Sequence, residues 1–272
     1  MVLEAIGLAA LFAGTAFLGL LYFRLVPSLE TLRQRLPNRV SFASLLLTAG
    51  LAAWIWWSWG NFSGFSRFRF FIGLLFNLLL FETFFLVLLR WLRSNTFAVA
   101  TAGGLVAVMV WLQGHVGGPW VFNLTFILAT FGATTLLVGL KYLRTGFLFV
   151  VSALWVVFDV MSVLFVYPQI YRVADRPRTS FLFPAIVSGH ITLGSGDIMF
   201  LVLMSLVLLR DFGRQAAVVH IALQTLALVI TVLVKSRESL FPYLTIMVPI
   251  FLLTWWWHRQ AKRHAGLSGT GA

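Results

Sequence analysis

The sequence predicts an all-α polytopic membrane protein, a bundle of nine transmembrane helices, on three observations. Of its 272 residues, 60% are hydrophobic and only 10% are charged, far from the composition of a soluble domain. The apolar residues fall in continuous runs of spanning length, without the alternation of barrel strands. The 20 Lys and Arg residues flank these runs, so the net charge of +12 reads as topology and contact with anionic lipid headgroups, not as nucleic-acid binding.

Taken in order, segment one covers residues 3–23. It lacks a basic start, carries Glu4 and stays apolar for about the 20 residues a span requires, so it is read as a span and not a signal peptide. Segment two, 40–59, closes on the aromatic run 54–59, and segment nine, 240–257, closes on Trp255-Trp256-Trp257; both clusters suit a membrane interface. Segment three, 70–89, carries Glu82. Segments four (97–113) and five (119–140) follow, the former holding Gly103-Gly104. Segment six, 146–167, carries Asp159, and segment seven, 189–209, carries Asp197. Segment eight, 216–234, contains Gln224. Segments four and eight are the least continuous, and without one of them the count is eight. The tail after His264 is expected to be disordered.

No linker or repeat divides the chain, which reads as one integral membrane domain. Within it, residues 1–145 supply five scaffold helices, and residues 146–272 supply helices six to nine with the acidic residues. Thirteen basic residues lie on the side that holds the C-terminal tail and the loops after segments one, three, five and seven; seven lie on the other. The positive-inside rule then puts the N-terminus outside and the C-terminus in the cytoplasm. The expected location is multi-pass in a prokaryotic plasma membrane. The chain has no cysteine, so neither a disulfide nor a thiolate metal site can form.

An ionisable side chain near the bilayer centre costs about 2.5 to 3.5 kcal/mol on insertion scales, so it marks a functional site by default. Asp159 and Asp197 occupy consecutive apolar segments. Ser152, Trp155, Asp159 and Ser162 form one helical stripe, and Gly194 and Asp197 share a face beside Gly196, where the missing side chain allows close backbone approach. Asp159 lies nine residues before Pro168, and Asp197 nine after Ser188. On continuous helices both acids are then about 13 Å below the same face. Two carboxyl groups so held share a proton, and one acid beside one base is the arrangement of aspartic proteases.

Phe158-Asp159 resembles the Tyr-Asp motif, and Gly194-Ser195-Gly196-Asp197 the Gly-x-Gly-Asp motif, of the presenilin and signal peptide peptidase family of intramembrane aspartyl proteases. Pro242-Tyr243-Leu244 is similar in part to that family's Pro-Ala-Leu motif. The likeness covers segments six to nine; the first five match as a helix count. Phe158 stands where the family has a tyrosine, and Tyr243 where it has an alanine. The short stretch 168–188 has no room for the cleavable insert of presenilins and resembles the intact signal peptide peptidase branch. The resemblance implies an aspartic endopeptidase that cuts peptide bonds within transmembrane segments. Its catalytic residues would be Asp159 and Asp197, with Phe158, Gly194, Ser195, Gly196, Pro242, Tyr243 and Leu244 around the substrate cleft. Transmembrane peptides or proteins and membrane lipids are the expected partners, with no nucleic acid, no obligate partner subunit, no metal and no other cofactor.

The competing reading is a proton- or cation-coupled transporter whose paired aspartates act as a relay; no internal symmetry of the kind many transporters show joins the two halves. Glu82, with Asn77 about one turn away, reads as a packing residue. The five histidines include no H-E-x-x-H spacing, and Ser188-Gly189 and Ser195-Gly196 lie in no G-x-S-x-G elbow, so zinc and serine protease readings are unsupported.

Overall fold

The computed structural model describes residues 2–26, 64–115, 119–139, 145–161, 185–188, 191–234 and 243–268. Among these the chain is helical apart from one short hairpin. The elements are α1 (Val2–Leu25), α2 (Gly64–Trp91), α3 (Asn95–His115), α4 (Pro119–Gly139), α5 (Thr145–Met161), β1 (Ala185–Ser188), β2 (Ile191–Gly194), α6 (Ser195–Phe212), α7 (Arg214–Val234) and α8 (Leu244–Ser268). Segments one and three to nine each correspond to a described helix. Segment two lies outside the described residues. Three helical stretches, Ala5–Leu25, Asn95–Gln113 and Arg214–Val234, are long and apolar enough to cross a membrane.

Local chemistry sets several boundaries. Ser94 accepts the Phe97 N–H on its hydroxyl at 3.3 Å and opens α3 as its cap. Gly213, at φ 90°, ends α6 and returns its N–H to Leu209 O, a backbone turn that only glycine takes cheaply. Within the apolar helices, Thr15, Thr125, Thr130, Thr225, Thr231 and Thr254 each donate to the carbonyl four residues earlier. Self-bonding of this kind satisfies the hydroxyl donor in apolar surroundings.

Segment seven departs from expectation. It was expected to be helical from 189, yet Ile191–Gly194 is a strand, paired antiparallel with Ala185–Ser188 in the register Ala185↔Gly194 to Ser188↔Ile191, and the helix starts only at Ser195. A short apolar run has no decisive period. Here β-branched Ile186, Val187, Ile191 and Thr192 favour a strand, and Gly194 and Gly196 do not favour a helix. Asp197 therefore sits in the first turn of α6, and counting helical rises from Ser188 does not give its depth.

The chain forms two compact units. One comprises Met1–Phe23, Thr134–Arg178 and Ala185–Ala272, and so holds α1, α5, the hairpin, α6, α7 and α8. Its core includes Phe12, Leu148, Phe200, Met204 and Phe251, all fully or almost fully buried. At one end, Asp211 accepts from Arg210 Nε at 2.8 Å, from the Thr145 hydroxyl at 2.5 Å and, on its backbone carbonyl, from Lys262 Nζ at 3.5 Å. This ties the start of α5 to the end of α6 and the tail of α8.

The other unit, Arg24–Ala133 with Thr179–Pro184, holds α2, α3 and most of α4. In it Thr83 of α2 meets Gly132 of α4. The Thr83 hydroxyl accepts the Gly132 N–H at 2.9 Å and lies within bonding distance of Leu79 O and Leu128 O. Any Cβ at position 132 would fall 2.8 Å from the Thr83 backbone nitrogen, so glycine permits the crossing. Glu82 is half-buried on α2, and the buried Asn77 side-chain oxygen has no hydrogen-bond partner among the described residues. In this stretch the neighbouring Thr83 makes the interhelical bonds.

Candidate functional site

The site is assembled from the ends of elements. Asp159 is the third-last residue of described α5, half-buried, one helical turn beyond Trp155. Trp155 packs edge-on against Phe200 of α6, with ring centroids 6.0 Å apart, a side-chain contact between the two acid-bearing helices. Ser152, one turn further back, is fully buried. Ser162, the last member of the expected stripe, lies outside the described residues.

Asp197 is the third residue of α6, after the cap Gly194. Its carboxylate folds back over that cap and accepts the Gly194 N–H, the reach of a third-position acid to the cap amide seen in half of a capping box. A Cβ on Gly194 would lie 3.2 Å from Asp197 Oδ2. Gly194 is thus small because the carboxylate needs the space. Gly196 is different: a Cβ there would meet nothing within 4 Å, so the close approach expected beside it is absent from the described residues. Ser195 opens the helix as its first residue.

The two carboxyl groups interact electrostatically, and a third element reaches them. Leu244, the first residue of α8, donates its backbone N–H to Asp159 Oδ2 at 3.2 Å. This is one of the four amides that a helix start leaves without an internal partner. Tyr243 precedes it as the cap, its carbonyl accepting from Ile246 and Met247 at 3.0 and 3.1 Å, and it interacts electrostatically with Asp197. The structure thus brings Asp159, Asp197, Gly194, Tyr243 and Leu244 into one neighbourhood. Phe158 is part of α5 beside Asp159. Pro242 lies outside the described residues.

Tyr243 stands where the resembled family has a small alanine. It is 3% exposed, packs edge-on against Phe12 of α1 at 5.9 Å, and donates its hydroxyl to Gln224 O on α7 at 2.7 Å. Gln224 in turn donates Nε2 to Met247 O at 2.8 Å. The sequence marked Gln224 only as an interruption of segment eight; a buried amide in an apolar run was the signal available.

Chemically, a carboxyl pair with a backbone donor on each member can hold one shared proton and orient a water or a carbonyl between them. Among the described residues, no three His, Asp or Glu side chains cluster as a metal-binding group. Neither the protein-family models nor the curated proteins include a match to this chain.

Proposed function

We propose that this chain is an intramembrane aspartyl protease with Asp159 and Asp197 as its catalytic pair. It spans a prokaryotic plasma membrane nine times, with its N-terminus outside and its C-terminus in the cytoplasm. The observation that carries the reading is the arrival of the α8 start at the acid pair: Leu244 N–H meets Asp159, while Asp197 interacts with both Asp159 and Tyr243. A relay would need only the two acids. A backbone donor at the mouth of the pair suits peptide hydrolysis, where a carboxylate must be held in one orientation through the cycle.

In that cycle the ionised carboxyl takes a proton from water as the oxygen attacks the peptide carbon, and the protonated carboxyl gives its proton to the carbonyl oxygen. The resulting diol collapses as one of its hydroxyls returns a proton to the carboxylate that had given its own, the C–N bond breaks, and the leaving nitrogen takes the proton that came from water, so the pair again holds one proton. One water is consumed, and a carboxylic acid and an amine leave. Basic and polar groups support the orientation: Arg90 Nη1 donates to Arg24 O at 2.6 Å, pairing two residues that the charge bias puts in the cytoplasm. The Thr145, Asp211 and Lys262 cluster also gathers chain ends assigned to that side.

The deciding experiment is incubation of the purified protein in lipid vesicles with a varied set of membrane-spanning peptides, followed by mass spectrometry of the products. Cleavage within the apolar stretch, absent in Asp159→Asn, is expected. Intact peptides throughout, with proton uptake coupled to an ion gradient, would replace the protease by the transporter reading.

A further inference from the structure

Gln224 is an unusual residue to bury. It is fully buried on α7, its Nε2 donates to Met247 O, and its Oε1 has no hydrogen-bond partner among the described residues. An amide half-satisfied in an apolar interior weakens a fold, because the unpaired oxygen has lost its water without replacement. Met247 O gains little from the bond. As a carbonyl within α8 it already faces the N–H four residues on, so its own satisfaction does not require Gln224. The packing of α7 on α8 therefore gives no reason for a glutamine here.

The reason lies one turn away. Gln224 makes two links to the first turn of α8. Its backbone carbonyl accepts the Tyr243 hydroxyl at 2.7 Å, and its side chain holds Met247 at 2.8 Å. Leu244 sits between those two anchors, and its N–H is the group that reaches Asp159 Oδ2. Without polar ties, an apolar helix start can slide and rotate against its neighbour, since dispersion and apolar burial are weakly directional. Two hydrogen bonds from one residue remove that freedom at the turn where a shift of about 1 Å would break a 3.2 Å bond.

We propose that Gln224 is a positioning residue, which clamps the first turn of α8 to α7 so that Leu244 N–H is held against Asp159. It touches neither substrate nor the acids themselves. The proposal rests on the reading of Asp159 as half of the catalytic pair, and it also has a consequence that needs no turnover: the hydrogen bonding of the Asp159 carboxyl depends on a side chain on another helix.

The test compares the full-length protein in vesicles with Gln224→Met, which keeps the shape and removes the donor. Gln224→Glu, which restores a donor whenever its carboxyl is protonated, serves as the rescue. Tyr243→Phe removes the other tie. Three readouts are taken: kcat and KM on a cleaved peptide, thermal melting, and the infrared carboxyl band of Asp159, identified by its loss in Asp159→Asn. The expected result for Gln224→Met is a kcat at least fivefold lower, KM within twofold of the parent, a melting temperature unchanged or raised, and a displaced Asp159 band. Gln224→Glu should recover most of both the rate and the band position, and Tyr243→Phe should displace the band in the same sense as Gln224→Met. An unmoved band in Gln224→Met overturns the proposal whatever the rate does, and so does a fall in melting temperature that tracks the fall in kcat, which would make Gln224 a fold residue. If the parent protein cleaves no peptide, the protease reading fails on that ground alone, and the infrared comparison still decides the clamp.

Discussion

Leu244 donates its main-chain N–H to Asp159 Oδ2 at 3.2 Å, across 85 positions of sequence. The bond joins the start of the last described helix to the first of the two acids.

If Asp159 and Asp197 work as one unit, Asp159→Asn and Asp197→Asn should each lower turnover by roughly 10² to 10⁴-fold, the range for loss of a positioned acid or base. The double variant should be little worse than either single one, because each acid supplies half of one proton cycle. The parent rate should fall on both sides of an optimum pH, since the pair is active only with a single shared proton. Initial rates on one peptide across pH check all three points, and a single variant that keeps a tenth of the activity would refute the pairing.

Gly194 and Gly196 should behave differently. The Cβ of Gly194→Ala would press on Asp197 Oδ2 from 3.2 Å and displace the carboxylate, so a drop of about tenfold in kcat is expected, in line with misplacement of a catalytic group by a fraction of an ångström. Gly196→Ala has open space and sits in a helical turn, where alanine is favoured over glycine by about 0.5 to 1 kcal/mol. It should retain activity and melt no lower than the parent. Equal effects of the two substitutions on kcat would show that the contact at Gly194 does not matter.

His220 is fully buried with neither ring nitrogen hydrogen-bonded among the described residues, and its ring lies edge-on to Phe251 at 5.8 Å. A polar ring held without partners weakens the fold by about 1 to 3 kcal/mol. His220→Leu is therefore expected to raise the melting temperature by a few degrees with no loss of peptide cleavage. A lowered melting temperature would mean that the imidazole has a bonding partner in the membrane.

Gly132→Ala tests the other compact unit. Its Cβ would meet the Thr83 hydroxyl at 2.6 Å and backbone atoms at 2.8 and 3.0 Å, so α2 and α4 must separate. Overpacking of this kind costs about 1 to 3 kcal/mol, to be seen as a lower melting temperature. Thr83→Ala combined with Gly132→Ala should relieve only part of that cost, since two of the three close atoms are backbone. Full recovery in the double variant would show that the hydroxyl alone sets the spacing.

Topology follows from the basic residues alone. A reporter fused after Ala272 should lie in the cytoplasm, and one inserted between Arg172 and Arg178, outside the described residues, should lie on the external side. Reversed labelling would overturn the proposed orientation.

The properties legible in the amino-acid order are those that are local along the chain. The presence of a helix in each of segments one and three to nine follows from long apolar runs, because a backbone in such surroundings must satisfy its own hydrogen bonds. That Asp159 and Asp197 stand out was legible because a charge inside such a run is expensive; the depth count that paired them does not hold for Asp197, whose helix starts at Ser195, and their electrostatic interaction is a product of the fold. The start of α6 was not legible, since the apolar residues of β2 carry no period that distinguishes strand from helix over four positions. Nor could a linear reading show that Gly194 accommodates a carboxylate while Gly196 accommodates nothing. The tertiary structure alone decided that Tyr243 is tied to Gln224, that Leu244 reaches Asp159, and that Thr83 meets Gly132. Each of these is a hydrogen bond or close approach between residues far apart in the chain, and its formation depends on the depth and rotation at which two helices pack, quantities that apolar periodicity leaves free.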